Sequence, residues 1–143
     1  MVYLDANVLI YPLVYKPMLP QAAASIEILK YIERGEITAV TSFLSWDEVV
    51  WVVWKLLGPD DAVSAGYKLL AFPNLKFVDV DEAVVYKAQL LVERYRLKPR
   101  DAIHAASALI AGERTIVSDD SDFDRVRELE RVSVEEFARK LKT

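Results

Sequence analysis

Five acidic residues stand where a strand would end or a helix begin, away from the charged faces of helices: Asp5, Glu48, Asp101, Asp120 and Asp122. Asp5 follows Val2-Tyr3-Leu4, whose β-branched and aromatic character is that of a buried strand. Each acid also has a plain structural use. Asp5 suits the N-cap of a following helix. Glu48 lies three residues after Ser45, in the spacing of a capping box. Asp101 falls in the first turn after Pro99, where the helix dipole favours a carboxylate, and Asp120 and Asp122 are common turn formers. Taken singly, these uses equal or outweigh a chemical role. Taken together, the acids share one kind of position, because open α/β sheets bind ligands at the carboxyl ends of their strands.

The chemistry that such a set supports is the binding of hard divalent cations. Mg²⁺ and Mn²⁺ prefer oxygen ligands, and Mg²⁺ keeps several waters, so a few carboxylates and a substrate phosphate complete the shell. Without a cation, gathered carboxylates repel and raise one another's pKa values. The cluster therefore implies Mg²⁺ or Mn²⁺ as its cofactor. A bound cation can acidify a water, aim it at phosphorus and neutralise the leaving oxygen.

The elements that must position these acids alternate in type along the chain. A strand ends at Leu4, and a helix runs from Asp5 to Tyr15, broken by Pro12 and closed by Pro17 and Pro20. A second helix spans residues 21–34 and stops at Gly35, and residues 37–41 alternate like a strand. Residues 42–57 include Val49-Val50-Trp51-Val52-Val53-Trp54, a strand by propensity, but length, a polar start and Gly58 favour a deeply buried helix. Further helices are predicted from Pro59 to Phe72, Asp81 to Arg96 and Lys98 to Gly112. Strands are predicted at residues 75–80, 114–118 and near Arg131 and Val132, before a last helix with Ser133 and Glu136 as its capping box. This alternation implies an α/β fold, a three-layer α/β/α sandwich with a central parallel sheet.

The 143 residues suit one domain, residues 1–143, with a real core. Hydrophobic residues make up 53% of the chain, but charged residues at 28% interrupt them, and no run reaches the roughly 18 residues of a membrane span. No secretory signal opens the chain, and there is no cysteine for a disulfide or a zinc–thiolate site. A cytoplasmic location and no membrane partner are expected. The net charge of −4 argues against a general nucleic-acid coat. It leaves room for a nuclease, since convergent acids would sit on cations while local basic patches steer a polyanion.

In this order the acids and their neighbours resemble the PIN domain family, most closely its VapC-type toxins. The matching pieces are Leu4-Asp5-Ala6-Asn7-Val8-Leu9, Thr41-Ser42 with Glu48, Arg100-Asp101-Ala102-Ile103-His104-Ala105-Ala106, and Ser118-Asp119-Asp120-Ser121-Asp122-Phe123. The resemblance implies a Mg²⁺- or Mn²⁺-dependent endoribonuclease acting on RNA, usually homodimeric and inhibited by a cognate antitoxin protein. It carries Asp5, Glu48, Asp101 and Asp120 onto the family's catalytic acidic quartet and Asp122 onto an additional metal-binding acid. Asn7 and Ser118 match polar positions that brace the acids. Asp119 stands beside Asp120 and leaves open which carboxylate touches metal.

Other residues also carry a plain reading beside a chemical one. Lys98 and Arg100 flank Asp101 and are the best candidates for phosphate contact among the basic residues, with Lys16, Arg94, Arg96, Arg114 and Arg125 more ordinary surface charges. The lone histidine, His104, follows Asp101 by three residues and is a packed or polar helper; a Ser-His-Asp triad has little support. Trp46, Trp51 and Trp54 could stack on RNA bases, but burial in the core or a subunit interface fits their apolar run better. Asp120, Asp122 and Asp124 open like a calcium loop, but Arg125 stands where glycine is needed. Aspartyl phosphotransfer is disfavoured because Asn7 replaces the second acid that haloacid-dehalogenase-like enzymes need, and no late lysine completes a receiver. The competing readings are an RNA-processing nuclease of PIN type outside any toxin–antitoxin pair and a catalytically silent PIN-like scaffold.

Overall fold

The computed structural model describes residues 1–143. Five short strands, β1 (Val2–Leu4), β2 (Ala39–Ser42), β3 (Leu75–Val78), β4 (Thr115–Val117) and β5 (Glu130–Val132), form one sheet in the order β3-β2-β1-β4-β5, with every pair parallel. β1 lies at the centre, and the chain fills one side with β2 and β3 before crossing to β4. The strand order therefore reverses beside β1, the place where parallel sheets open a crevice at their carboxyl ends.

Register alternates the side chains between two cores. Tyr3 aligns with Val40 and Ile116, and all three point to a core shared with α5 (Glu82–Tyr95) and α6 (Pro99–Ile110). Leu4, Val117 and Ala39 point the other way. There they meet α1 (Ala6–Val14), α2 (Pro20–Glu33), α3 (Leu44–Leu57), α4 (Pro59–Leu70) and α7 (Val134–Leu141). Three layers result, as the alternation of elements implies. No helix is long and apolar enough to cross a membrane.

Two expectations are corrected. Pro12 does not break α1, which continues to Val14 although Pro12 has no N–H to donate to the preceding turn. Packing outweighs the lost bond, since Val8 and Leu9 of this helix are buried in the core. Nor is α3 deeply buried. Only Ser45, Val49 and Val53, spaced four apart, face inward, while Trp46, Trp51 and Trp54 are 41%, 52% and 49% exposed. An all-round apolar helix here covers a groove against α4, where a Cβ on Gly66 would come within 3.2 Å of both the Trp46 indole nitrogen and Val50.

Candidate active site

The site is organised by one hydroxyl. Leu4 pairs with Val117, so Asp5 and Ser118 leave the carboxyl ends of β1 and β4 side by side. The Ser118 Oγ donates to Asp5 Oδ2 at 2.7 Å and accepts from the Asp120 backbone N–H at 3.0 Å. A single buried serine thus fixes two acids drawn from opposite ends of the chain. The other oxygen of Asp5 accepts from Ala6 N at 2.8 Å, making Asp5 the N-cap of α1 as well as a member of the site. Burial pushes its pKa up, against the pull of His104, Ser118 and the Ala6 amide.

Glu48 arrives from α3, and Thr41 sets where that helix begins. The Thr41 Oγ1 donates to the Leu4 carbonyl at 2.8 Å and lies 2.7 Å from Ser45 Oγ, tying the first turn of α3 to the end of β1. No Ser45–Glu48 capping box forms, because Ser45 sits inside α3 and turns to Thr41. One turn later Glu48 Oε1 lies 2.5 Å from His104 Nε2, and His104 Nδ1 lies 2.7 Å from the Tyr3 hydroxyl. Both ring nitrogens of this fully buried histidine are therefore held. Burial opposes charge on His104, but the Glu48 hydrogen bond and the charges of Asp5, Glu48 and Asp101 outweigh it and raise its pKa. Burial and then the Asp5 charge push the Tyr3 hydroxyl well above its ordinary value.

Asp101, Asp120 and Asp122 complete the cluster. Each offers an oxygen within 4.8 Å of the other two, and all three are half-buried. Asp120 Oδ1 accepts from Asp122 N at 2.9 Å, which shapes the short 3₁₀ turn η1 (Ser121–Arg125). Asp101 is pushed up to about 6, by burial first and then by the charges of Asp120, Asp5 and Asp122. Glu48, Asp101 and Asp120 line one open cleft of about 450 Å³ together with Lys98 and Arg100. A half-buried set of hard oxygen donors that disfavour one another's charge fits a divalent cation.

Two polar neighbours behave differently from their sequence positions. The Asn7 side chain is half-buried and makes no hydrogen bond within the chain, whereas Ser118 makes two to the site. Asp119 turns away from the cluster. Its Oδ1 accepts from Val134 N at 3.0 Å and its Oδ2 from the Tyr11 hydroxyl at 3.1 Å, so it anchors α7. The residue that sequence reasoning missed is Tyr3, whose partner His104 is 101 positions away and gives no local signal.

A family profile described as PIN domain matches residues 2–129. No curated protein matches the sequence. Among solved structures, a VapBC complex bound to DNA from Salmonella typhimurium is similar at TM-score 0.70 and 19% identity, over 94% of this chain and 99% of that one. A toxin–antitoxin complex from Klebsiella pneumoniae is similar at TM-score 0.68 and 18% identity, over 95% and 99% of the two chains. VapC20 of Mycobacterium tuberculosis, described as a toxin that cleaves the sarcin–ricin loop, is similar at TM-score 0.69 and 14% identity, over 89% and 95%. At these identities the likeness to the solved structures is one of fold, while the profile covers most of the sequence. The chain belongs to the PIN domain family.

Proposed function

We propose that this protein is a Mg²⁺- or Mn²⁺-dependent endoribonuclease and the toxin of a VapBC-type toxin–antitoxin pair, acting in the cytoplasm. The observation that carries the reading is the convergence of Asp101, Asp120 and Asp122 within 4.8 Å, in a cleft also lined by Glu48. Asp5, held by Ser118 and Ala6, adds charge behind them. A divalent cation bound there would neutralise charge on the phosphodiester and on its leaving oxygen and acidify an attacking water.

The chain's own residues do the rest. Asp101 and Asp120 line the cleft and, with Asp122 beside them, would hold the metal. Asp5 and Glu48 would add negative potential that favours a cation there, and His104 fixes the direction of Glu48 through its Nε2. Lys98 and Arg100, at the mouth of the same cleft, receive the phosphates of the strand to be cut. An antitoxin partner is supported by the likeness in fold to structures described as toxin–antitoxin complexes.

Cleavage of an RNA transcript with Mg²⁺ or Mn²⁺ tests the proposal. Activity should vanish with EDTA and fall by roughly 100-fold or more in Asp5→Asn and in Asp101→Asn, the scale of losing a group that holds a catalytic metal. Cleavage that survives chelation and both substitutions would sink it.

A further inference from the structure

Beside the carboxylates lies a second cleft with the opposite charge. It holds about 830 Å³, within the range of ligand-binding clefts, and is lined by Arg94, Tyr95, Arg96, Arg125, Arg127 and Glu128. Four arginines around one carboxylate are at odds with a chain whose net charge is −4. Glu128 is engaged by the Tyr95 hydroxyl, which together with its charged surroundings keeps its pKa low. Arg125 pairs with Asp122 at 3.1 Å and donates to the Arg96 carbonyl at 3.3 Å. Arg94, Arg96 and Arg127 have no ion pair and are exposed.

Two features show that the cluster is directed. Arg96 ends α5 in the left-handed region at φ 57°, a place that glycine or asparagine fills at less cost. That conformation sets an arginine on the cleft wall. Arg125 bridges the cleft to the acid cluster by touching Asp122 on one side and Arg96 on the other. A polyanion entering the acid site would therefore meet unpaired guanidinium groups on the far side of Arg125. Planar guanidinium forks bind phosphate oxygens in pairs, and several forks in one cleft suit a backbone of successive phosphates.

We infer that the Arg94–Arg96–Arg127 cleft is a subsite for single-stranded RNA, holding backbone phosphates next to the scissile bond. It rests on the nuclease reading above. The test uses Asp101→Asn, which binds without cutting, and a fluorescently labelled oligouridine titrated at several salt concentrations. Adding Arg94→Gln, Arg96→Gly and Arg127→Gln should raise Kd at least about tenfold and flatten the slope of log K against log salt by about 2, near 0.7 per lost phosphate contact. Arg96→Gly alone relieves a strained backbone position and should flatten it by about 0.7, so the test does not depend on the triple variant folding. With Asp101 intact, the arginine variants should raise KM for long RNA and leave kcat unchanged.

Unchanged affinity and salt slope would overturn the subsite, as would a loss of binding to polyglutamate but not to RNA, which would assign the cleft to an acidic protein segment. The two readings fail separately. RNA binding that depends on the arginines, in a chain that cuts no RNA with either metal, refutes the nuclease and keeps the subsite. Metal-dependent cleavage with an unaltered KM keeps the nuclease and removes the subsite.

Discussion

At the scale of single residues, the site is a set of charges held in place by hydrogen bonds from buried neighbours. Asp101 shows what that costs, because its carboxyl is pushed up to about 6 by burial and by Asp120, Asp5 and Asp122. The folded chain holds this proton more tightly than the unfolded chain does. The stability it contributes is therefore present below the ordinary carboxylate range and is lost as pH rises through about 6. Asp5 is shifted in the same direction, so the two act together. A cation reverses the loss by favouring the ionised forms. Melting temperatures taken with Mn²⁺ and with EDTA should nearly coincide around pH 5 and separate clearly around pH 7.5, and Asp101→Asn should remove most of that separation. Equal stabilisation by metal at both pH values would show that Asp101 is not part of the cation site.

At the scale of elements, adjacent residues are sent to different tasks by where a strand stops. Ser118 is the first residue after β4, Asp119 turns to the start of α7, and Asp120 turns to the acids. Neighbouring aspartates with equal chemistry should thus respond differently to one substitution. Asp119→Asn weakens the link to Val134 N and should cost about 1 kcal/mol in urea unfolding while leaving Mn²⁺ affinity within about twofold. Asp120→Asn should lower that affinity at least about tenfold with a smaller effect on stability. Calorimetric titration with Mn²⁺ separates the two, and the opposite ranking would reverse the assignment. The same logic explains α6, where Asp101 and His104 lie one turn apart, one lining the cleft and the other buried beneath it.

At the scale of the whole molecule, the surface of α3 and α4 is apolar well beyond the core. Trp51 and Trp54 are about half exposed, Tyr67 is 75% exposed, and a groove of about 450 Å³ runs between Trp46, Trp54, Gly66 and Tyr67. Exposed aromatic surface of this kind marks a protein interface more often than a solvated face. We propose a second copy of the chain as its occupant, in line with the homodimer that the PIN resemblance implies. Light scattering should give a dimer for the unaltered chain and a monomer for Trp54→Glu, whose fold is retained because Trp54 lies outside the core. A monomer for the unaltered chain would overturn that assignment.

The amino-acid sequence by itself determined the alternation of strands and helices, the parallel three-layer fold and the five acids, because each rests on local signals. Period, caps and prolines act within a turn or two, and an acid after a short apolar run is visible without its neighbours. The N-cap at Ser133 was legible for that reason, as its hydroxyl accepts from Glu136 N at 3.2 Å, although the Glu136 carboxylate pairs with Lys140 instead of closing the capping box. Tertiary structure alone decided which acids share an oxygen cluster, that Asp119 leaves it, that Ser118 joins Asp5 to Asp120, and that Tyr3 and Glu48 hold opposite edges of His104. It also decided that α3 turns its tryptophans outward and that arginines from α5 and the segment after η1 line one cleft. Those are relations between residues far apart in the chain, fixed by strand register and by the order of the sheet, and no local pattern encodes them.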